Sequence, residues 1–330
     1  MADAPRQNIL VLSAGRRVSL LQGFMDAAKK LAPHSPRQVF AADMAPRLSA
    51  ACQLADAHFS LPAARAQAYP AALKALCAAQ NIGLVIPTID TELPILATLR
   101  GAFARQGTAI VVSTEALVAE CADKRRTGAL FSRANFPTPP LYPADALRFP
   151  LLVKPYDGAL SQGVRVLENA NQLTPQILNN PKNIFCAYID PETHSEFTID
   201  LYFDRQSTLK CVVPRRRIEV RGGEVAKAVA EKNELVGLMF ERFATLKGAR
   251  GCLTFQLFRH NKTRAAYAIE INPRFGGGYP LSRHAGADFQ AWLIAEYLEG
   301  RAIKRFEGWQ DQTMMLRYDA EVILNATQGL

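Results

Sequence analysis

The amino-acid sequence predicts an α/β protein whose first part is an open, Rossmann-like sheet and whose second part is built on strands and hairpins. Three observations predict it. Asn8-Ile9-Leu10-Val11-Leu12-Ser13 is a short continuous apolar run, as expected of a strand buried on both faces in a parallel sheet. Runs of this kind alternate with helix-spaced patterns up to about residue 115, as βαβ units do. Further on, Tyr267-Ala268-Ile269-Glu270-Ile271-Asn272-Pro273-Arg274-Phe275-Gly276-Gly277-Gly278 places polar chemistry in an otherwise buried strand and follows it with glycines.

In chain order, Gly15 permits a turn after the first strand. Val18, Leu21, Phe24, Met25 and Ala28 then recur at helical spacing, so a helix runs to about Leu31. A second strand, Gln38 to Ala42, ends at Asp43, and further strands are expected at 57–61, 82–86 and 108–112. Ligands of such sheets collect beyond the carboxyl ends of the strands. Ser13-Ala14-Gly15-Arg16-Arg17, Asp43 and Thr88-Ile89-Asp90-Thr91-Glu92 all fall there. The Gly15 turn lacks GxGxxG and is no dinucleotide fingerprint. Asp90 and Glu92 are read equally as acids favoured at a helix start and as substrate contacts.

Glu115 to Ala134 is helical in pattern, with Asp123-Lys124-Arg125-Arg126 in its middle, and the proline-rich Asn135 to Pro140 marks entry to a subdomain. Pro150-Leu151-Leu152-Val153-Lys154-Pro155 carries a lysine in an apolar strand and leads through a glycine loop, Gly158 to Val164, to a second strand at Arg165-Val166-Leu167. The lysine precedes the glycines and no helix follows, so this is not the Walker loop; a hairpin turn and a phosphate-binding loop are both open readings. In 195–203, Glu196, Thr198 and Asp200 form a polar face against a buried one of Phe197, Ile199 and Leu201. Val212 to Ile218 is a strand with a basic end, and Gly222-Gly223 turns into a long amphipathic helix from about Val225 to Leu246. Cys252 to Phe258 pairs with 266–272 in a hairpin that brings Gln256 beside Glu270, and a helix at about 288–298 closes the chain.

On the strand 266–272, Ile269 and Ile271 share one face and Ala268, Glu270 and Asn272 the other. Glu270 and Asn272 are then about 6.5 Å apart at the backbone, which suits oxygen ligation of a hard cation such as Mg²⁺. Gln256 completes the candidate ligand set, and Lys124, Lys154, Arg217 and Arg274 are candidate cations to neutralise a bound polyanion. Composition sets the bounds. A chain of 330 residues predicts two or three domains, and the net charge of +9 favours an anionic small molecule. Scattered basic residues without interleaved aromatics argue against nucleic acid. The six cysteines, with no CxxC pair, read as reduced and structural. No signal-peptide stretch and no apolar run long enough to span a bilayer is present, so a cytoplasmic protein with no membrane association is expected.

In this order the motifs are recognisable: the chain resembles the ATP-grasp superfamily, in particular its carbamoyl-phosphate-synthase-like and carboxylate-amine ligase branch. The resemblance rests on Val153-Lys154-Pro155 with the 158–164 loop, Glu196-Phe197-Thr198-Ile199-Asp200, Gln256 and Glu270-Ile271-Asn272-Pro273-Arg274. It implies a Rossmann-like pre-ATP-grasp domain over 1–115 followed by a two-lobed α+β ATP-grasp fold over 116–330, with a mobile lid at about 125–190. It implies ATP and Mg²⁺ as cofactors, two ions with Mn²⁺ as a substitute. Lys124 and Lys154 look like the phosphate-binding lysines, and Ser161 and Gly163 lie in the covering loop. Glu196 looks like the ribose acceptor, and Gln256, Glu270 and Asn272 like the metal ligands. Arg274 resembles the arginine that steadies the transferred phosphoryl group, with Lys154 and Arg217 as further catalytic cations. Where many relatives have Gln-Glu-Tyr-Ile beside adenine, this chain has Cys186-Ala187-Tyr188-Ile189, which leaves backbone groups at 187–189 to read the base. The implied reaction joins a carboxylate to an amine through an acyl phosphate. Phosphorylation of bicarbonate and non-catalytic nucleotide binding are the alternatives, and a homodimer is the assembly common among relatives. Asp43, Asp90 and Glu92 suit an amino-bearing substrate and Arg16 and Arg17 an anionic one.

Overall fold

The computed structural model describes residues 6–34, 37–158 and 163–325. The first unit comprises β1 (Asn8–Val11), α1 (Val18–Leu31), β2 (Val39–Asp43), α2 (Ala50–Leu54), β3 (Ala57–Ser60), α3 (Tyr69–Ala79), β4 (Ile82–Ile86), α4 (Leu93–Ala104) and β5 (Ala109–Ile110). Its five strands are parallel in the order β3-β2-β1-β4-β5, with Ile9 opposite Val39 on one side and Leu84 on the other. The apolar runs of β1 and β4 are buried on both faces, as their sequence predicts. Gly15 turns the chain at φ +45°, and its N–H donates to Asp43 Oδ2 at 3.0 Å, fastening the ends of β1 and β2 together.

The helical pattern at 115–134 resolves into α5 (Glu115–Ala122) and α6 (Lys124–Arg133). Asp123 is extended between them, and its carboxylate accepts from Arg125 N at 2.9 Å, so the charged cluster read as mid-helix is a helix start. A small antiparallel sheet follows, built from β6 (Leu141–Tyr142), β7 (Leu151–Pro155), β8 (Arg165–Leu167) and, after the short α7 (Pro175–Leu178), β9 (Asn183–Ala187), in the order β6-β9-β7-β8.

The largest sheet has the order β14-β13-β10-β11-β12-β15 and contains β10 (His194–Phe203), β11 (Leu209–Arg221), β12 (Glu224–Ala230), β13 (Gly251–His260), β14 (Ala266–Asn272) and β15 (Met314–Leu316), with α8 (Glu234–Phe243), α9 (Tyr279–His284) and α10 (Phe289–Tyr297) between them. The long helix expected at 225–246 is replaced by β12 and α8. Gly222 and Gly223, at φ +58° and +79°, close a β11–β12 hairpin that pairs Arg221 with Glu224, and the helix starts only where Asn233 caps Leu235 N. A second correction concerns β14. A bulge skips Ile269, pairing Gln256 with Glu270 but Leu257 with Ala268. Ala268 and Ile271 therefore share the buried core, and Glu270 and Asn272 keep the opposite face.

The parallel unit and the large sheet share one core. Ile9, Val11, Leu21 and Phe24 pack in the same cluster as Tyr202, Val213, Phe275, Tyr279 and Phe289. α1 meets α10 so closely that a Cβ on Gly23 would lie 2.1 Å from Gln290 Nε2, which donates instead to Leu20 O at 2.9 Å. This contact fixes the first turn of α1, which follows β1, against α10, which packs on β13 of the large sheet.

Candidate functional site

Three surfaces meet where β14 ends. The first is the polar face of the large sheet, where register places Thr198 beside both Arg215 and Gln256, Gln256 beside Glu270, and Asp200 beside Thr254, which in turn pairs with Asn272. The face expected to be merely polar is buried at its centre, with Thr198, Asp200, Arg215 and Thr254 all inside. Each must be paired, and Arg215 grips Asp200 with Nε at 2.7 Å and Nη2 at 3.0 Å while Ser282 Oγ donates to the same carboxylate at 2.6 Å. Strand alternation splits the arginine run. Arg216 pairs with Glu231 on one side, and Arg217 donates to Glu196 on the other. Burial pushes the Glu196 carboxyl up, opposed by Arg217 and assisted by Glu270 nearby. Asn272 Nδ2 donates to Glu270 Oε1 at 3.0 Å, which orients one amide oxygen away from the carboxylate it steadies.

The second surface is the small sheet with the start of α6. Lys154, 8% exposed in β7, lies on the face opposite Leu151 and Val153, which pack in the apolar core of that sheet. Lys124 N donates to Tyr156 O at 2.9 Å and its ammonium to Gly158 O. Burial, with Lys154 nearby, pulls the Lys124 ammonium down, and Glu270 pulls it back up, so both the other lysine and the β14 carboxylate lie near Lys124. Gly163 has φ +74°, and a Cβ there would stand 2.9 Å from Pro155 Cγ. Ser161 lies outside the described residues. At the end of β9 the N–H of Ala187 is already bonded to Pro140 O at 2.8 Å, with Tyr188 and Ile189 half-buried beyond it.

The third surface is the rim of the parallel sheet. Asp90 receives Arg274 Nε at 3.0 Å and Nη2 at 2.6 Å, a bidentate bridge between the two large sheets. Glu92, 1% exposed, instead accepts from Thr88 N at 2.7 Å, Ile89 N at 3.2 Å and Ser13 Oγ at 2.8 Å, the capping arrangement that sequence left open against substrate contact. Arg16 is exposed, and Asp43 is occupied in part by Gly15 N and Ala45 N. Sequence reasoning did not foresee the corner around Gly277. A Cβ there would stand 3.2 Å from Arg17 Nη1 and from the Glu224 carboxyl carbon, and Arg317 donates to Glu224 at 2.6 Å and to Gly277 O at 2.5 Å. Arg17 is read from sequence as suited to an anionic substrate, without these partners, and Glu224 and Arg317 carry no local pattern that distinguishes them.

The arrangement offers one carboxylate and two amides on a rigid hairpin, faced by two lysines. Among the described residues no three His, Cys, Asp or Glu side chains cluster to hold a metal. The set nonetheless fits Mg²⁺, which is ordinarily bound by one or two carboxylates together with waters and substrate phosphates. Also among the described residues, no helix is long and apolar enough to cross a membrane.

Comparison with known proteins adds the family. The model of a PylC-like N-terminal domain matches residues 9–111, and that of an ATP-grasp domain matches residues 121–278. No curated protein sequence matches significantly. Among solved structures, the biotin carboxylase domain of Hydrogenobacter thermophilus 2-oxoglutarate carboxylase, in complex with MgADP, ADP and bicarbonate, aligns over 94% of this chain and 74% of its own at 14% identity and TM-score 0.71. The L-amino acid ligase of Bacillus licheniformis aligns over 90% and 75% at 17% identity and TM-score 0.65. The N5-carboxyaminoimidazole synthetase of Staphylococcus aureus, complexed with ADP, aligns over 91% and 79% at 14% identity and TM-score 0.66. The chain belongs to the ATP-grasp superfamily, with a PylC-like N-terminal domain ahead of its ATP-grasp domain.

Proposed function

We propose that this protein is an ATP- and Mg²⁺-dependent ligase that joins a carboxylate to an amine through an acyl phosphate. The observation that carries the reading is the pairing of Gln256 with Glu270 and the Asn272–Glu270 hydrogen bond, opposite Lys124 and the buried Lys154. Glu270, Asn272 and Gln256 would hold Mg²⁺, one or two ions, which would supply positive charge to offset that of the phosphates. Lys124 and Lys154 bind the phosphates, and the lid at about 125–190 closes over them to exclude water. Glu196, steadied by Arg217, accepts from the ribose, and backbone groups at 187–189 meet the base. Solved structures containing ADP or MgADP, similar in fold, support the nucleotide assignment.

In the first step a carboxylate oxygen attacks the γ-phosphorus and the bond to ADP breaks, with Arg274 compensating charge on the transferred group. In the second, the nitrogen of a neutral amine attacks the acyl carbon, phosphate leaves with the C–O bonding pair, and the nitrogen sheds a proton. Bicarbonate is the second candidate acid, favoured by its presence in the Hydrogenobacter structure.

Removing a preorganised charge of this kind costs on the order of 10²–10³ in turnover. Lys154→Ala and Glu270→Gln should each lose that much ATP-dependent ADP release while keeping the wild-type far-UV circular dichroism. Oxygen-18 in a candidate carboxylate should reach the released phosphate. ADP release at wild-type rates by either variant would overturn the reading.

A further inference from the structure

The ATP-grasp half of the proposed site accounts for nucleotide and metal, and leaves the amine without a place. A cleft of about 300 Å³ lies at the carboxyl ends of β1 and β2, beside the segment that follows β4. That is the small end of the range for ligand sites and the space of about ten waters at liquid density, so it suits an occupant of amino-acid size. It lies where ligands of open α/β sheets collect. Its walls are mainly apolar, with Leu12, Leu61, Pro62 and Ile89 among them.

Its polar groups are few, and its one carboxylate has no cation partner among the described residues. Asp43 is half-buried, accepts only the N–H groups of Gly15 and Ala45, and has no cation partner among the described residues. Tyr69, 3% exposed, is among the lining residues, and its hydroxyl is buried with no hydrogen-bond partner among the described residues. Arg65 stands exposed at the outer lip. Ile89 and Thr91, which also line the cleft, flank Asp90, the residue that holds Arg274. The segment that carries Asp90 thus supplies part of the cleft wall, while Asp90 itself turns to Arg274.

We propose that this cleft is the acceptor site and takes a small primary amine with an apolar body, an α-amino acid among them, with its ammonium on Asp43 and its body against Leu12, Leu61 and Ile89. Arg65 receives a carboxylate when one is present. The inference rests on the ligase reading above only for the name acceptor. Occupancy of the cleft is a separate property that needs no nucleotide, so its test is independent of ATP chemistry.

The experiment measures binding to the full chain without ATP or metal, by saturation-transfer NMR and calorimetry. The probes are L-leucine, 3-methylbutylamine, which lacks the carboxylate, and 4-methylpentanoate, which lacks the amine. Saturable binding by an amine, at least tenfold tighter than by 4-methylpentanoate, is expected. Ala63→Trp, at the wall of the cleft, should weaken amine binding at least tenfold, and Ala64→Phe is the second blocking variant should the first unfold in a thermal melt. Equal binding of the acid, no saturable binding by either amine, or wild-type affinity in a folded blocked variant would each overturn the proposal. MgADP titrated into the same wild-type sample reads the ligase assignment separately. Its failure to bind, beside intact amine binding, would remove that assignment and leave the cleft.

Discussion

Two arginine–aspartate pairs in this molecule have the same bidentate geometry and opposite surroundings. Arg215 and Asp200 are 1% and 0% exposed at the side chain, sealed between strands, with Ser282 as a third partner. Arg274 and Asp90 are 14% and 40% exposed and join the large sheet to the rim of the parallel one. In the first pair each charge has already left water, and neither partner can be given up without stranding the other. In the second, solvent stands ready to take over from Asp90, so Arg274 can exchange partners at small cost. The same two side chains thus make a fastening in one place and an exchangeable contact in the other, and burial alone decides which.

The largest expected effect breaks the sealed pair. Asp200→Ala leaves the Arg215 guanidinium buried and uncompensated, with Nη1 beside Gly278 already lacking a partner among the described residues, and should cost about 3–5 kcal/mol in urea unfolding. A loss below about 1 kcal/mol would show that the pair is no fastening.

Glu92 extends the comparison to an acid buried without a cation. Burial raises it from 4.5 to about 7, against the downward pull of Thr88 N, Ser13 Oγ and Ile89 N. A folded-state pKa raised above the unfolded one means the folded protein holds the proton more tightly. The stabilisation is complete below about pH 4.5 and is lost as pH rises towards 7, and it amounts to roughly 3 kcal/mol. Glu92→Gln keeps acceptors for the backbone donors and removes the titration. Its stability should therefore fall by about 3 kcal/mol less than that of wild type between pH 4.5 and 7.5, measured by denaturant unfolding across the range. Parallel pH profiles would show that the hydrogen bonds outweigh burial and keep Glu92 ionised.

How much of this could be read in advance follows the range of the forces involved. Strands β1 and β4 are buried on both faces, so composition alone marks them, and the pairing of Gln256 with Glu270 follows from two alternating strands joined by a short turn. The region 225–246 misled because its apolar residues satisfy a helical stripe, and only the left-handed glycines at 222–223 and the Asn233 cap divide strand from helix. Alternation put Ile269 with Ile271, which a one-residue bulge undoes while preserving the face of Glu270 and Asn272. Asp200 could be placed on a face, but its partner depends on the neighbouring strand. The corner of Arg17, Glu224 and Arg317 gathers three distant segments around Gly277, and no local rule reports such a meeting.

The smallest effect sharpens the comparison most. Double-mutant cycles, with Asp90→Asn and Arg274→Gln in one and Asp200→Asn and Arg215→Gln in the other, isolate each coupling from whatever else the single changes do. For the exposed pair the coupling should stay below about 1 kcal/mol and fall further in 1 M salt, where the screening length shrinks to about 3 Å. The buried coupling should exceed it and remain insensitive to salt, because no counterion reaches a pair at 1% and 0% exposure. If the couplings match, Arg274 is as firmly held as Arg215, and its reach towards a transferred phosphoryl group would require breaking a contact that the fold does not release.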